Sequence, residues 1–147
     1  MKIAKFLVII VCVVLVPIAA LAIEGKCPLC GMNIEGNENT LYEITFKDGK
    51  TQTYCCPHCG LWEHSTGKDT VTSARVKNFI SGEWVDAQKA YYLYNSTATP
   101  ACSPSWIAFE KETEAKMFMK GFGGELYTFE KALKVRGDQP KSMKMAK

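Results

Sequence analysis

An α+β fold of two small ββα-like lobes behind an N-terminal signal peptide is what this 147-residue chain predicts, on three observations. A basic, then apolar, then small-residue segment opens the chain. A hairpin dipeptide, Asp48-Gly49, separates two strand-like runs that lead into a short helix beginning at Pro57. A second hairpin-like stretch around Ser81-Gly82 leads on to an amphipathic helix ending at Gly123-Gly124.

The elements follow in order. Met1-Lys2-Ile3-Ala4-Lys5 is a basic n-region, Phe6 to Ile18 is apolar apart from Pro17, and Ala20-Leu21-Ala22 fits the small-x-small pattern of signal peptidase. Cleavage is expected after Ala22, and Pro17 favours that over a helix that stays in the membrane. An uncleaved anchor is the alternative, and only then would the protein be membrane-attached. Either way the remainder is exported, and a periplasmic location is expected. Residues 23–67 form the Cys-rich, metal-binding ββα lobe. Within it Leu41 to Phe46 places Tyr42, Ile44 and Phe46 on one face. Asp48-Gly49 predicts a two-residue type I′ turn, and Thr51 to Cys55 returns. Pro57 to His64 is helical, with proline at its first position.

Ser65 to Thr72 reads as a polar linker, and residues 73–136 as a second ββα-like lobe. Its strand signals are Ala74 to Ile80, Glu83 to Val85, Tyr91 to Tyr94, Ile107 to Phe109 and Leu126 to Phe129. Asn95 to Ser105 is irregular. Lys111 to Phe122 sets Ala115, Phe118, Met119 and Phe122 at helical spacing, and Lys131 to Val135 is a short last turn of helix. Residues 137–147 are a flexible basic tail.

Charge and cysteine count bound the function. The chain carries 18 basic and 15 acidic residues. Loss of Lys2 and Lys5 with the leader brings the balance to +1, so nothing favours nucleic acid as a partner. No Ser-His-Asp set, phosphate loop or paired-carboxylate signature is present, and an enzyme is not expected. Of 7 cysteines, Cys12 leaves with the leader. Cys27, Cys30, Cys55, Cys56, Cys59 and Cys102 remain, and in an exported protein an even set first raises disulfides.

Spacing points instead to a metal. Cys27-x-x-Cys30 and Cys56-x-x-Cys59 are two knuckles that the hairpin brings back toward each other. Four thiolates around zinc would staple the lobe, and that is one reading. Two details favour Cu(I). Met32 lies on the first knuckle and is a poor zinc ligand but a good cuprous one, and Cys55 adds a thiol that a closed zinc site does not need. A thiol–disulfide redox pair is the third reading, although no βαβ pattern surrounds either knuckle. His58 and His64 read as surface or capping residues, with His58 a weaker ligand candidate. Met119 reads as core. Met117, Met143 and Met145 have no specific role.

These residues resemble the NosL family of copper-delivering accessory proteins of nitrous oxide reductase. The resemblance rests on Cys27-Pro28-Leu29-Cys30-Gly31-Met32, on Ala74-Arg75-Val76 with Ser81 to Ala87, on Ile107-Ala108-Phe109, and on Ala115, Phe118, Gly123-Gly124 and Phe129. It covers nearly all of the mature chain. It implies a periplasmic Cu(I)-binding chaperone of two ββα-like lobes, related in shape to a domain of organomercurial lyase, with Cys30 and Met32 as primary ligands. Its partner would be a recipient cuproenzyme or another copper carrier. Two departures stand out. Members are typically lipoproteins, unlike this leader. The family's Pro-Met-Gly element is replaced by Pro100 to Trp106, where Cys102 is a candidate soft ligand in place of the missing thioether. The Cys55, Cys56 and Cys59 cluster is additional.

Overall fold

The computed structural model describes residues 25–141; the expected leader, 1–22, and the tail from 142 onward lie outside the described residues. Seven strands and three helices follow one another there: β1 (Tyr42–Phe46), β2 (Thr51–Tyr54), α1 (Pro57–Thr66), β3 (Val71–Lys77), β4 (Trp84–Asp86), β5 (Tyr91–Tyr94), β6 (Trp106–Phe109), α2 (Glu112–Phe122), β7 (Glu125–Tyr127) and α3 (Phe129–Gly137). They make two small antiparallel sheets with helices, ordered β2-β1-β3-β4 and β6-β5-β7. The α+β class and the two sheet lobes expected from sequence are present.

The first hairpin pairs Tyr42 with Tyr54 and Ile44 with Gln52, so Tyr42 and Ile44 face the core together, each fully buried. Its turn differs from the two-residue expectation. Phe46 N donates to Lys50 O at 2.9 Å, enclosing three residues, and of these only Gly49 has positive φ. A three-residue loop needs one left-handed residue at its end, which Gly49 supplies, so Asp48 keeps an ordinary conformation.

The largest departure concerns β3 and β4. Sequence placed them in the second lobe, beyond a linker. Instead β3 pairs with β1, Tyr42 opposite Val76 and Ile44 opposite Ala74, and β4 extends the same sheet from β3. The expected linker is short: α1 runs to Thr66 and β3 starts at Val71. An unpaired edge on β1 would leave its N–H and C=O groups without partners beside a buried face, and β3 provides them. The second sheet is therefore β5, β6 and β7 with α2. Ala115 is buried on α2, and Phe118 and Met119 pack on Leu93, Ile107 and Phe109.

One larger core joins the sheets, with Tyr42, Ile44, Tyr54 and Val76 from the first and Tyr92, Trp106 and Ala108 from the second. Phe79 N donates to Ala108 O at 2.9 Å across the junction. The last helix is longer than its expected single turn. Phe129, read as strand, starts it, and Phe129, Ala132 and Arg136 bury one face against α1, β5 and β7.

Candidate metal centre

Three chain segments deliver sulfur to one place. The first is a closed knuckle: Cys27 N donates to Met32 O at 2.7 Å and Gly31 N to Cys27 O at 2.8 Å. Gly31 takes φ 76°, a conformation that a side chain would strain. The second is the β2–α1 junction. Cys56 precedes a proline, which holds it extended at φ −164°, and Pro57 opens the helix immediately. Cys55 and Cys56 thus bridge strand and helix, while Cys59 lies in the first helical turn. The third is the β5–β6 loop, which carries Cys102 and is closed by Asn95 N donating to Ser105 O at 2.9 Å and by the Ser96–Ser105 hydroxyl pair at 3.0 Å.

Cys55 Sγ lies 3.5 Å from Cys30, 3.7 Å from Cys56, 3.8 Å from Cys59 and 3.7 Å from Cys102. Cys102 Sγ is also 3.9 Å from Cys30 and 3.8 Å from Cys59. A disulfide would need about 2.05 Å, and the six cysteines among the described residues are free thiols. Sulfurs sharing one tetrahedral metal at about 2.3 Å sit roughly 3.8 Å apart, so these spacings match the edges of a coordination polyhedron. Two sets of four meet that geometry, each with its ligand atoms within 4.8 Å of one another: Cys27, Cys30, Cys55 and Cys59, and Cys55, Cys56, Cys59 and Cys102. An all-sulfur donor set suits a soft cation. Cys30 alone among the six is half-exposed; the rest are buried.

The other expected residues divide. Met32 is half-buried against the larger core, and its backbone carbonyl closes the knuckle. His58 and His64 are not on the surface: both are buried. His64 Nδ1 pairs with the Tyr42 hydroxyl at 2.8 Å. His58 Nδ1 lies 3.9 Å from Cys59 Sγ, outside both four-sulfur sets, and its Nε2 has no hydrogen-bond partner among the described residues. Met119 packs on the second core as expected, and Met117 is exposed.

Hydrogen bonds among the sulfurs divide their protons unequally. Bonds with Cys102, Cys27, Cys55 and Cys59 pull the Cys30 thiol far down. Cys27 is raised by Cys30, but Cys55 and Cys59 outweigh this and hold it at about 7. Cys56 ends well below the usual thiol value despite burial, through bonds with Cys102, Cys55 and Cys59. Cys55 and Cys59 go up, each chiefly through Cys102, and Cys102 goes up chiefly through Cys30. The group therefore carries thiolate charge while some of its members stay protonated.

Two features support that charge. The first turn of α1 contains no acidic residue, so the positive end of the helix dipole is left to favour the sulfurs of Cys56 and Cys59. The second is Arg136, which sequence reasoning missed. It is fully buried and has no carboxylate partner among the described residues. Its Nε donates to His58 O at 2.7 Å, and its terminal nitrogens donate to Pro140 O at 3.2 Å and Lys141 O at 3.4 Å. Burial lowers its pKa, a shift that negative charge on Cys56 opposes without cancelling. A guanidinium is buried at tolerable cost only when its N–H groups are satisfied, here by three backbone carbonyls, and negative charge on Cys56 adds to that. The one local signal was an arginine on the inward face of a helix whose neighbours at that spacing, Phe129 and Ala132, are apolar.

Comparison with known proteins agrees with this architecture. The NosL family model matches residues 17–134. The HTH-type transcriptional repressor CutR of Bacillus subtilis (strain 168) is 32% identical over 80 residues, 54% of this chain and 42% of that protein. The chain thus spans less than half the length of that relative. The crystal structure of the copper chaperone NosL from Shewanella denitrificans superposes with a TM-score of 0.63 at 24% identity, covering 76% of this chain and 92% of that one. At that identity the likeness concerns the fold. With the family model matched across both sheets and through most of α3, the chain belongs to the NosL family.

Proposed function

We propose that this protein is an exported Cu(I) carrier that acts in the periplasm and hands copper to a cuproenzyme or to another carrier. Nitrous oxide reductase is the recipient that the family resemblance implies. The observation that carries the reading is the convergence of six free cysteine sulfurs from three segments, with half-exposed Cys30 at the rim. Cys30 and Met32 act as the exchange edge, where an incoming soft side chain displaces one ligand at a time. Cys27, Cys55, Cys56, Cys59 and Cys102 hold the ion behind them, and neutral His58 stands beside Cys59. Membership of a family that includes a copper chaperone supports a carrier over an enzyme.

Structural zinc is the competing use of the same sulfurs, and a direct contest separates the two. Mature protein reduced under anaerobic conditions is offered equimolar Cu(I) and Zn²⁺, then passed to a thiol chelator. The carrier reading expects copper to displace zinc and then to exchange within minutes into a large excess of the chelator. Retention of zinc, with unfolding of the first lobe on its removal, overturns it. Export is checked by N-terminal sequencing of the periplasmic fraction, where a start at Ile23 is expected.

A further inference from the structure

We propose that the sulfur group is polynuclear: it takes at least two Cu(I) ions per chain, with Cys55 and Cys59 as bridging thiolates. The inference rests on the copper reading above and deepens it. Its basis is the overlap of the two four-sulfur sets. Cys27 and Cys30 belong to one and Cys56 and Cys102 to the other, while Cys55 and Cys59 belong to both. The sulfur of Cys55 lies 3.5 Å from Cys30 of the first set and 3.7 Å from both Cys56 and Cys102 of the second. A thiolate has lone pairs enough for two metals, and these two sulfurs stand where the two coordination polyhedra share an edge.

Supply and demand argue the same way. One cuprous ion binds two or three thiolates, so a single ion leaves at least three of the six without a metal. Five of the six residues are buried, and buried sulfurs left over must stay protonated or hold charge away from water. A second ion engages them and offsets a further unit of charge. Each thiol that binds releases one proton to solvent. No electron moves, so the copper enters as Cu(I) and stays Cu(I).

The test uses the full mature chain, reduced and anaerobic, saturated from a buffered Cu(I) complex. Bound copper is counted by metal analysis and native mass spectrometry, and Cu–Cu scattering is sought by X-ray absorption. Two or more ions per chain with a Cu–Cu path are expected. One ion and no Cu–Cu path overturns this inference and leaves the carrier reading standing; no bound copper overturns both. In a Cys55→Ser/Cys59→Ser variant the Cu–Cu path is expected to vanish, and in Cys102→Ser, which spares both shared sulfurs, to remain. Persistence of the path in the double variant shows that these residues do not bridge. If that variant does not fold, the count on the unaltered chain still decides.

Discussion

The two helix-on-sheet units bury opposite chemistry. Under α2 lies an apolar seam: Phe118 meets Phe79 at 5.5 Å and Phe109 at 5.3 Å, with Leu93, Ile107 and Ala115 filling in. Around α1 the equivalent space holds Cys55, Cys56, Cys59, His58, His64 and Arg136. The first seam is stabilised by removing apolar surface from water, about 25 cal/mol per Å². The second buries apolar side chains too, Tyr42, Tyr54 and Leu61 among them, but its sulfur centre depends besides on satisfied polar groups and, in the proposed account, on metal. One unit is therefore scaffold and the other instrument.

That contrast can be broken at its strongest point. Cys59→Ser should lower Cu(I) affinity by about 100-fold or more, taking as yardstick structural zinc sites, which bind with roughly 10–16 kcal/mol shared among four ligands. Phe118→Ala should leave that affinity unchanged while costing about 2 kcal/mol of stability, less than a fully buried phenylalanine because the ring is half-buried. Affinity titrations and chemical denaturation on both variants check the crossed pattern. Loss of copper binding in Phe118→Ala would erase the distinction. Copper itself should raise the melting temperature with its concentration, and the added amide-exchange protection should fall on residues 27–32, α1 and 95–105 rather than on α2.

Smaller effects sharpen the same line. A Cβ at Gly60 would overlap the base of the Tyr42 side chain, so Gly60→Ala should destabilise the protein by about 1–3 kcal/mol and loosen the metal end with it. Arg136→Met keeps volume but removes the cation and the bond to the His58 carbonyl, at a cost of about 1–3 kcal/mol. Thiolate absorbance should then titrate at higher pH than in the unaltered chain, because a positive neighbour has gone. His58 gives the mildest test. Burial, with Arg136 adding to it, lowers its pKa to about 4, so between about 4 and 6.5 the unfolded chain binds the proton that the folded one refuses. Stability of the metal-free protein should therefore fall as pH drops through that window, and His58→Gln should flatten the slope.

What could be read from sequence was what is locally encoded. Asp48-Gly49, Pro57 and the α2 periodicity each act over a few residues, and each marked its element. The knuckle cysteines were legible by spacing, and Cys102 only as a candidate by its position in a family pattern. The pairing of β3 with β1 was not legible, because no local signal in Val71 to Lys77 distinguishes one sheet partner from another. Polar residues misled at α1 for a related reason: His58 and His64 look like surface residues until Cys59, Tyr42 and Phe129 enclose them. Arg136 escaped because its justification, thiolate charge, lies far away in sequence. Lys141, assigned to a flexible tail, is held in the same way by the Arg136 guanidinium.

The most direct measurement is an anaerobic competition between the reduced mature protein and a strong Cu(I) chelator, with free thiols counted in parallel. The account predicts that the protein starts with six free thiols, withholds copper from the chelator, and loses titratable thiols as it fills. A chelator that keeps all the copper, or a protein whose cysteines emerge from the periplasm paired in disulfides, would contradict it.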